Sequence, residues 1–493
     1  MISLLAIGTL AASCAGTSVE NGQETKAQEN RQPETQTSVP ENAEPTEIEK
    51  RQLLSDHLEE QDFGGREFRI VTAETRAAEV DVETQTGEVC NDAIFNRNAR
   101  IEERFNCSIG TILHPNFDEA NSAVQKFVRA GMDEAELLYS VDFKVYVLAN
   151  AKVIQNWTEI PNIDLTQPWY NRLANDGSTL NHILYACCSD FSVSALTETY
   201  AVFYNTRLTD SYDWSSEYLC NLVNDGKWTI DTLISMTKDL RQDLNGDGKR
   251  DENDLYGFGY RVRGAGDAWL IAFGGSYTSI NADGTLNINF MNEKTVDALR
   301  KLQDYQWYSE GFYEYETSEL REPEHFLNGQ LVFAPLTFDN AFTTLRNMED
   351  NYSVLPYPKW DEAQTEYYTG ATDAFFVSMI PLTADDTGFI GTVFEALSAE
   401  SYKTVYPVYY DVALKGKYSS DQSMADMIDL IMNGRKFDFA FQYGESQMQR
   451  MPYLFRDLLI RNQGMGKEIA SEWAAIEQKL NKKLQKLYDI YDM

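Results

Sequence analysis

The chain has 493 residues, 43% hydrophobic and 12% aromatic, enough apolar material for more than one core-forming body. Its 77 acidic and 42 basic side chains give a formal net charge of −35. A surface this negative repels phosphate backbones and anionic headgroups, which argues against nucleic-acid binding and against membrane docking through basic patches. At the amino terminus, Met1 to Ala12 are almost all apolar or small. The run is too short for a spanning helix, which takes about 20 residues, and suits the apolar part of a secretion signal. From Ala15 to about Asp62 the chain is rich in Glu, Gln, Thr, Asn and Pro. Such a segment buries too little apolar surface to fold and reads as a flexible acidic tether.

Folding is expected to begin near Phe63. Glu67 to Thr72 alternates as a strand does, and Asn91 to Phe105 carries Ile94, Ile101 and Phe105 at helical spacing. An extended piece from Cys107, a helix over Asn121 to Arg129 and a strand from Ala135 to Val141 follow, with Asp142 at the strand end. Strand, helix, strand, helix, strand is an α/β pattern. It continues with a strand over Ala201 to Asn205 and a helix from Ile230 through Leu240 with Thr229 as N-cap. Apolar strands are expected at Gln330 to Pro335 and Phe375 to Ile380. Ile469, Trp473, Ile476, Leu480, Leu484 and Leu487 form one stripe of a long C-terminal helix.

The sharpest local motif is Asp243 to Asp254. Oxygen side chains stand at loop positions 1, 3, 5, 9 and 12 (Asp243, Asn245, Asp247, Asp251, Asp254), with Gly248 at position 6 and the Lys249 carbonyl at position 7. A hard cation takes six to eight oxygens, and alternate residues of a turning loop can aim theirs inward. A structural calcium ion is the expectation, although Asp254 replaces the usual Glu.

Enzyme motifs are missing: there is no Gly-x-Ser-x-Gly and no His-Glu-x-x-His, and the four His are scattered. Setting Cys14 aside leaves Cys90, Cys107, Cys187, Cys188 and Cys220, an odd number, so a complete disulfide framework is not expected. Adjacent Cys187 and Cys188 in an extended run should point to opposite faces and serve packing.

Several stretches together resemble the extracellular solute-binding lipoproteins of bacterial ABC importers, carbohydrate-type family 1. They are Ala11-Ala12-Ser13-Cys14, which resembles a lipobox; Phe203 to Leu208; Lys227 to Leu233 with the Asp243 loop running into Tyr256-Gly257-Phe258; Phe326 to Gln330; Val354 to Lys359; and Ala413 to Tyr418 with Met427 to Ile431. The resemblance implies an α/β, two-lobed, periplasmic-binding-protein-like fold (type II, Venus-flytrap) with several interlobe crossovers, expected near 191–200, 333–340 and 370–376. It implies a signal peptide over 1–13, a palmitate-type lipid anchor on Cys14, the tether over 14–62, one lobe from 63–192 plus 336–372, and a second from 193–335 plus 373–493. It further implies a non-enzymatic monomer on the outer face of the cell membrane that captures a mono- or oligosaccharide for an ABC permease. A surface glycan-binding adhesin and a glycoside hydrolase working through two carboxylates are the alternatives.

Sugar recognition needs flat apolar faces and polar hydroxyl partners. The rings placed near the expected cleft are Tyr200, Tyr204, Trp269, Phe338 and Trp360, with Tyr367 and Tyr368 close by. Trp269 leads, because it follows Arg263-Gly264-Ala265-Gly266-Asp267 and precedes Gly274-Gly275. The expected hydroxyl acceptors are Asp142, Asp339 and Asp373.

Overall fold

The computed structural model describes residues 46–315, 321–415, 422–461 and 468–492. The expected signal segment, Cys14 and most of the expected tether lie outside them. A first helix, α1 (Glu47–Gln52), precedes the expected start of folding. It belongs with the main body because Arg51 sits over the Tyr402 ring at 4.5 Å, and Arg104 holds Asp56 a few residues on.

The first sheet grows from local signals. β1 (Arg66–Ala73) buries Phe68, Ile70 and Val71. It leads to α2 (Val89–Phe105), whose first turn is capped by the Glu88 carboxylate accepting from Asn91 N, and which stops where Asn106 turns left-handed. β2 (Cys107–His114) pairs parallel with β1, Phe68 opposite Ile109. α3 (Phe117–Ala130), capped by Asn116 and closed by left-handed Gly131, returns the chain to β3 (Leu137–Val141), buried throughout and parallel to β1. Each Leu, Ile or Phe so buried contributes about 1.5–3 kcal/mol.

The second sheet starts at β4 (Tyr200–Asn205). α4 (Ile230–Thr237), with Thr229 Oγ1 accepting from Thr232 N, ends short of Leu240 because the chain turns into a two-residue strand, Arg241–Gln242, on the edge of β5 (Leu255–Arg261). Next come α5 (Ala268–Ala272), α6 (Glu293–Tyr308), β6 (Phe312–Tyr315), β7 (Leu331–Thr337) and β8 (Tyr352–Leu355). The order is β8-β4-β7-β5 with β6 also on β5; β4 runs antiparallel to both flanking strands. β9 (Phe376–Met379) then adds antiparallel to β3, giving β9-β3-β1-β2. α7 (Thr387–Glu400), α8 (Gln422–Asn433), α9 (Met451–Leu459) and α10 (Ile469–Ile490) complete the described chain.

Strand pairing differs from the expected partition. β8, within 336–372, lies in the second sheet, and β9, within 373–493, lies in the first. No change of sheet occurs at 333–340: β7 and β8 occupy the two free edges of β4. The chain changes sheet between β3 and β4 and again between β8 and β9, and these two passages touch through the Thr199–Ala371 bridge. All five described cysteines are free and buried. Cys187 belongs to the apolar core that contains Phe68, Tyr139 and Phe376, and Cys188 to the one that contains Val71 and Leu138, so the two point to different faces as expected.

Candidate functional site

The two passages bring together residues far apart in sequence. Asp142 N donates to the Phe375 carbonyl at 2.9 Å and Phe143 N to the Asp373 carbonyl at 3.2 Å, so the end of β3 lies beside the strand entering the first sheet. Facing them, α5 supplies Ile271, and the chain leaving α8 supplies Lys436, Phe437 and Asp438. That last segment is pinned by parallel pairing of Thr369–Gly370 with Arg435–Lys436. Between them lies a narrow pocket with about 20 Å³ of free volume, whose lining includes Asp142, Ser178, Asp373, Phe375, Phe437 and Asp438. A second cavity of about 250 Å³ shares Ile271, Lys436, Phe437 and Asp438 with it and runs toward Ser276 and Tyr368. The second approaches the size of a small-ligand cleft, and the first, with room for about one water molecule, forms its narrow inner end.

Three carboxylates line the first cavity, each in a different state. Asp438 is saturated: it accepts from Tyr277 N, Thr278 N, Thr278 Oγ1 and Ala440 N at 2.6–3.1 Å. Asp373 accepts from the Tyr453 hydroxyl at 2.9 Å, with the Arg456 guanidinium nearby. Arg456 is itself bonded to Asp267. Asp142 is 4% exposed and has one side-chain partner among the described residues, Gln442 Nε2, 2.6 Å from Oδ1. Burial pushes the Asp142 carboxyl up to about 8, against the Gln442 bond and with a further push from Asp373. Burial likewise raises Asp267 to about 7, although Arg456 opposes it.

The expected site residues divide. Asp142 and Asp373 line the cavity, and Tyr368 the adjoining one. Trp269 presents no face to a ligand: it is fully buried, its Nε1 donates to Tyr260 Oη at 2.7 Å, and its ring stands edge-on to Tyr357 at 4.9 Å. The glycines before it allow close packing instead of a mobile loop. Gly264, at φ +114°, lets the Tyr200 hydroxyl approach to where a Cβ would sit 3.1 Å away. Tyr200 itself is 6% exposed, and Tyr204 and Phe338 are fully buried, packed on Phe333 and Phe203 respectively. Trp360 packs edge-on to Phe273 with Lys301 over its ring, and Asp339 stands 3.9 Å from Arg76. Neither lines the two cavities. Sequence reading missed Ser178, Ile271 and the 436–442 segment. Rings at every second position, Phe437, Phe439 and Phe441, were the signal there.

The Asp243 loop turns its oxygens onto its own backbone. Asp243 accepts from Gly246 N and Gly248 N, Asn245 from Asp247 N, Asp247 from Lys249 N, and Asp251 from Asn253 N. Gly248 sits at φ +75°, the left-handed turn its position requires. Asp254 is fully buried against the Arg241 guanidinium, which also donates to the Lys249 carbonyl. Among the described residues no three His, Cys, Asp or Glu side chains converge as a metal site. The donor types still suit calcium; their directions would have to change.

No family model and no curated protein matches the chain. Solved structures do. An ABC transporter solute-binding protein from Thermotoga lettingae, bound with α-D-tagatose, is 15% identical, covering 85% of this chain and 100% of its own at TM-score 0.54. UgpB from Mycobacterium tuberculosis, in complex with glycerophosphocholine, is 14% identical, covering 86% and 99% at TM-score 0.56. An ABC substrate-binding protein from Listeria monocytogenes, in complex with cycloalternan, is 14% identical, covering 85% and 99% at TM-score 0.55. With two sheets linked by adjacent passages, the chain has the two-lobed α/β fold of the solute-binding proteins of ABC transporters.

Proposed function

We propose that this chain captures a small hydroxylated solute, a mono- or oligosaccharide, and delivers it chemically unchanged to an ABC permease. The observation that carries the reading is the cleft beside the interlobe passages, where carboxylate oxygens of Asp142 and Asp373 face the rings of Phe375 and Phe437. Carboxylates accept from hydroxyls, and rings cover the apolar face of a pyranose. The ligands of two neighbours, tagatose and cycloalternan, are of this class.

The reading includes export by the 1–13 segment, a lipid anchor on Cys14, the acidic tether, a monomeric state and a location on the outer face of the membrane. No helix among the described residues is long and apolar enough to cross a membrane. It also includes a structural calcium ion in the Asp243 loop. Calcium would draw the Lys249 carbonyl and Asp254 away from Arg241 and the other side chains away from their backbone donors.

Calorimetry and thermal shift against mono- and oligosaccharides test the central claim. A ligand at one hundred times its Kd should stabilise the protein by about 2.7 kcal/mol. Release of a cleaved product would establish a hydrolase instead, and binding confined to polymers would establish an adhesin.

A further inference from the structure

The cleft does more than offer acceptors: its charge is unbalanced, and the imbalance has an address. Asp438 has four donors of its own, and Arg456 serves Asp267 and Asp373. Among the three, Asp142 alone has neither a cation nor a full set of donors, its one described side-chain partner being Gln442. The groups facing it are Asp373 on the adjoining passage, Gln442 and Tyr443 beyond α8, the Cys188 thiol, and Tyr491 at the C-terminus. On its own element, Lys144 turns away to Asp118 at 3.2 Å. Lys436 lines the same cavity, but its ammonium lies over the Tyr368 ring at 4.9 Å, toward the second cavity. No donor among the described residues reaches Asp142 Oδ2, and that oxygen is not sealed into the core. An unpartnered oxygen of a nine-tenths-buried carboxylate therefore faces the cavity.

Beside it, Phe375 and Phe437 stand 5.5 Å apart at 69°, presenting ring surface that attracts both C–H groups and a cation. Ser178 and Thr372 add hydroxyls to the same wall. One buried acceptor with neither a cation nor a second donor, next to ring faces and hydroxyls, describes a guest with one positive charge on a hydroxylated ring.

Resting on the transport reading above, we propose that the solute carries a primary ammonium group, as an amino sugar does, and that Asp142 is the residue that receives it. A neutral sugar would leave the carboxylate either protonated or uncompensated in a water-poor site. An ammonium ion supplies the missing charge and drives the carboxyl proton off. Uptake of such a ligand near neutral pH therefore releases protons, whereas uptake of a neutral sugar does not require it.

The experiment is titration calorimetry of the whole protein with D-glucosamine, N-acetyl-D-glucosamine and D-glucose, in buffers of different ionisation enthalpy. Glucosamine should bind at least tenfold more tightly than the other two and release protons. In Asp142→Asn the preference and the proton release should both disappear, while the melting temperature is kept or raised. Glucose or N-acetylglucosamine binding as well as glucosamine would overturn the proposal and leave the transport reading standing. So would a preference that survives in Asp142→Asn. Absence of binding by all three would count against both.

Discussion

Two acidic regions of this chain use the same side chain in opposite ways. In the 243–254 loop, Asp243 is half-exposed and accepts from two backbone N–H groups, which hold its carboxyl below the ordinary range, the Gly248 bond contributing most. In the cleft, Asp142 is buried, has a single neutral donor, and is driven up to about 8. Backbone donors favour the charged form, and burial without a cation disfavours it. An acidic residue thus announces a turn in one place and an unsatisfied receptor in the other, and its type alone does not say which.

The largest effect should come from Asp438→Ala, which makes the cleft resemble the loop stripped of its acceptor. The substitution leaves Tyr277 N, Thr278 N, Thr278 Oγ1 and Ala440 N without a partner in a buried site. At about 1–3 kcal/mol for each unsatisfied group, partly relieved by water, a loss of roughly 4 kcal/mol is expected in chemical denaturation. A loss under about 1 kcal/mol would mean that the segment is not held by this carboxylate.

Next in size is the pH dependence tied to Asp142. Its folded-state carboxyl titrates near 8 and its ordinary value is 3.8, so between those limits the folded protein holds a proton that the unfolded chain releases. Stability from this group is complete below the ordinary value and falls as pH rises toward 8. Between pH 5 and pH 7 the fall is on the order of 3 kcal/mol, at 1.36 kcal/mol per unit. Asp142→Asn, a neutral isostere, should remove that slope and be the more stable protein at pH 7 to 8. Equal slopes in both proteins would show that Asp142 is ionised and compensated. Asp267, raised to about 7 beside Arg456, adds a slope of the same sign that both proteins share.

The same contrast explains what was legible in the sequence. The alternating strands, the Thr229 cap, the C-terminal stripe and the left-handed Gly248 are set by neighbours within a few residues, and each is found where local chemistry puts it. The cleft is assembled from positions 142, 178, 271, 373 and 437, which no local pattern relates. Asp142 and Asp373 could be picked out because they flank strand ends. Trp269 could not be placed, because a ring amid glycines reads as a mobile platform whether those glycines serve motion or close contact. Tyr200 over Gly264 shows that here they serve contact. The assignment of 336–372 and 373–493 to lobes was unreadable for a similar reason: which sheet accepts β8 or β9 depends on the open edges of β4 and β3.

The smallest expected effect belongs to the loop. Asp243→Asn keeps one acceptor and loses a charge in an exposed turn, so without added metal the melting temperature should move by no more than about 2 °C. With calcium the comparison sharpens. If the ion enters, wild-type protein should melt higher in millimolar calcium than in chelator, and the variant should lose most of that difference, because position 1 supplies a charged ligand. Arg241 decides whether this can occur. Its guanidinium already neutralises Asp254 and engages the Lys249 carbonyl, two of the donors an ion would need. An Arg241→Gln variant that gains calcium-dependent stabilisation beyond wild type would identify the guanidinium as the ion's competitor. Identical melting with calcium and with chelator in all three proteins would make the arginine the loop's permanent cation, and its carboxylates, unlike that of Asp142, would have no place for another.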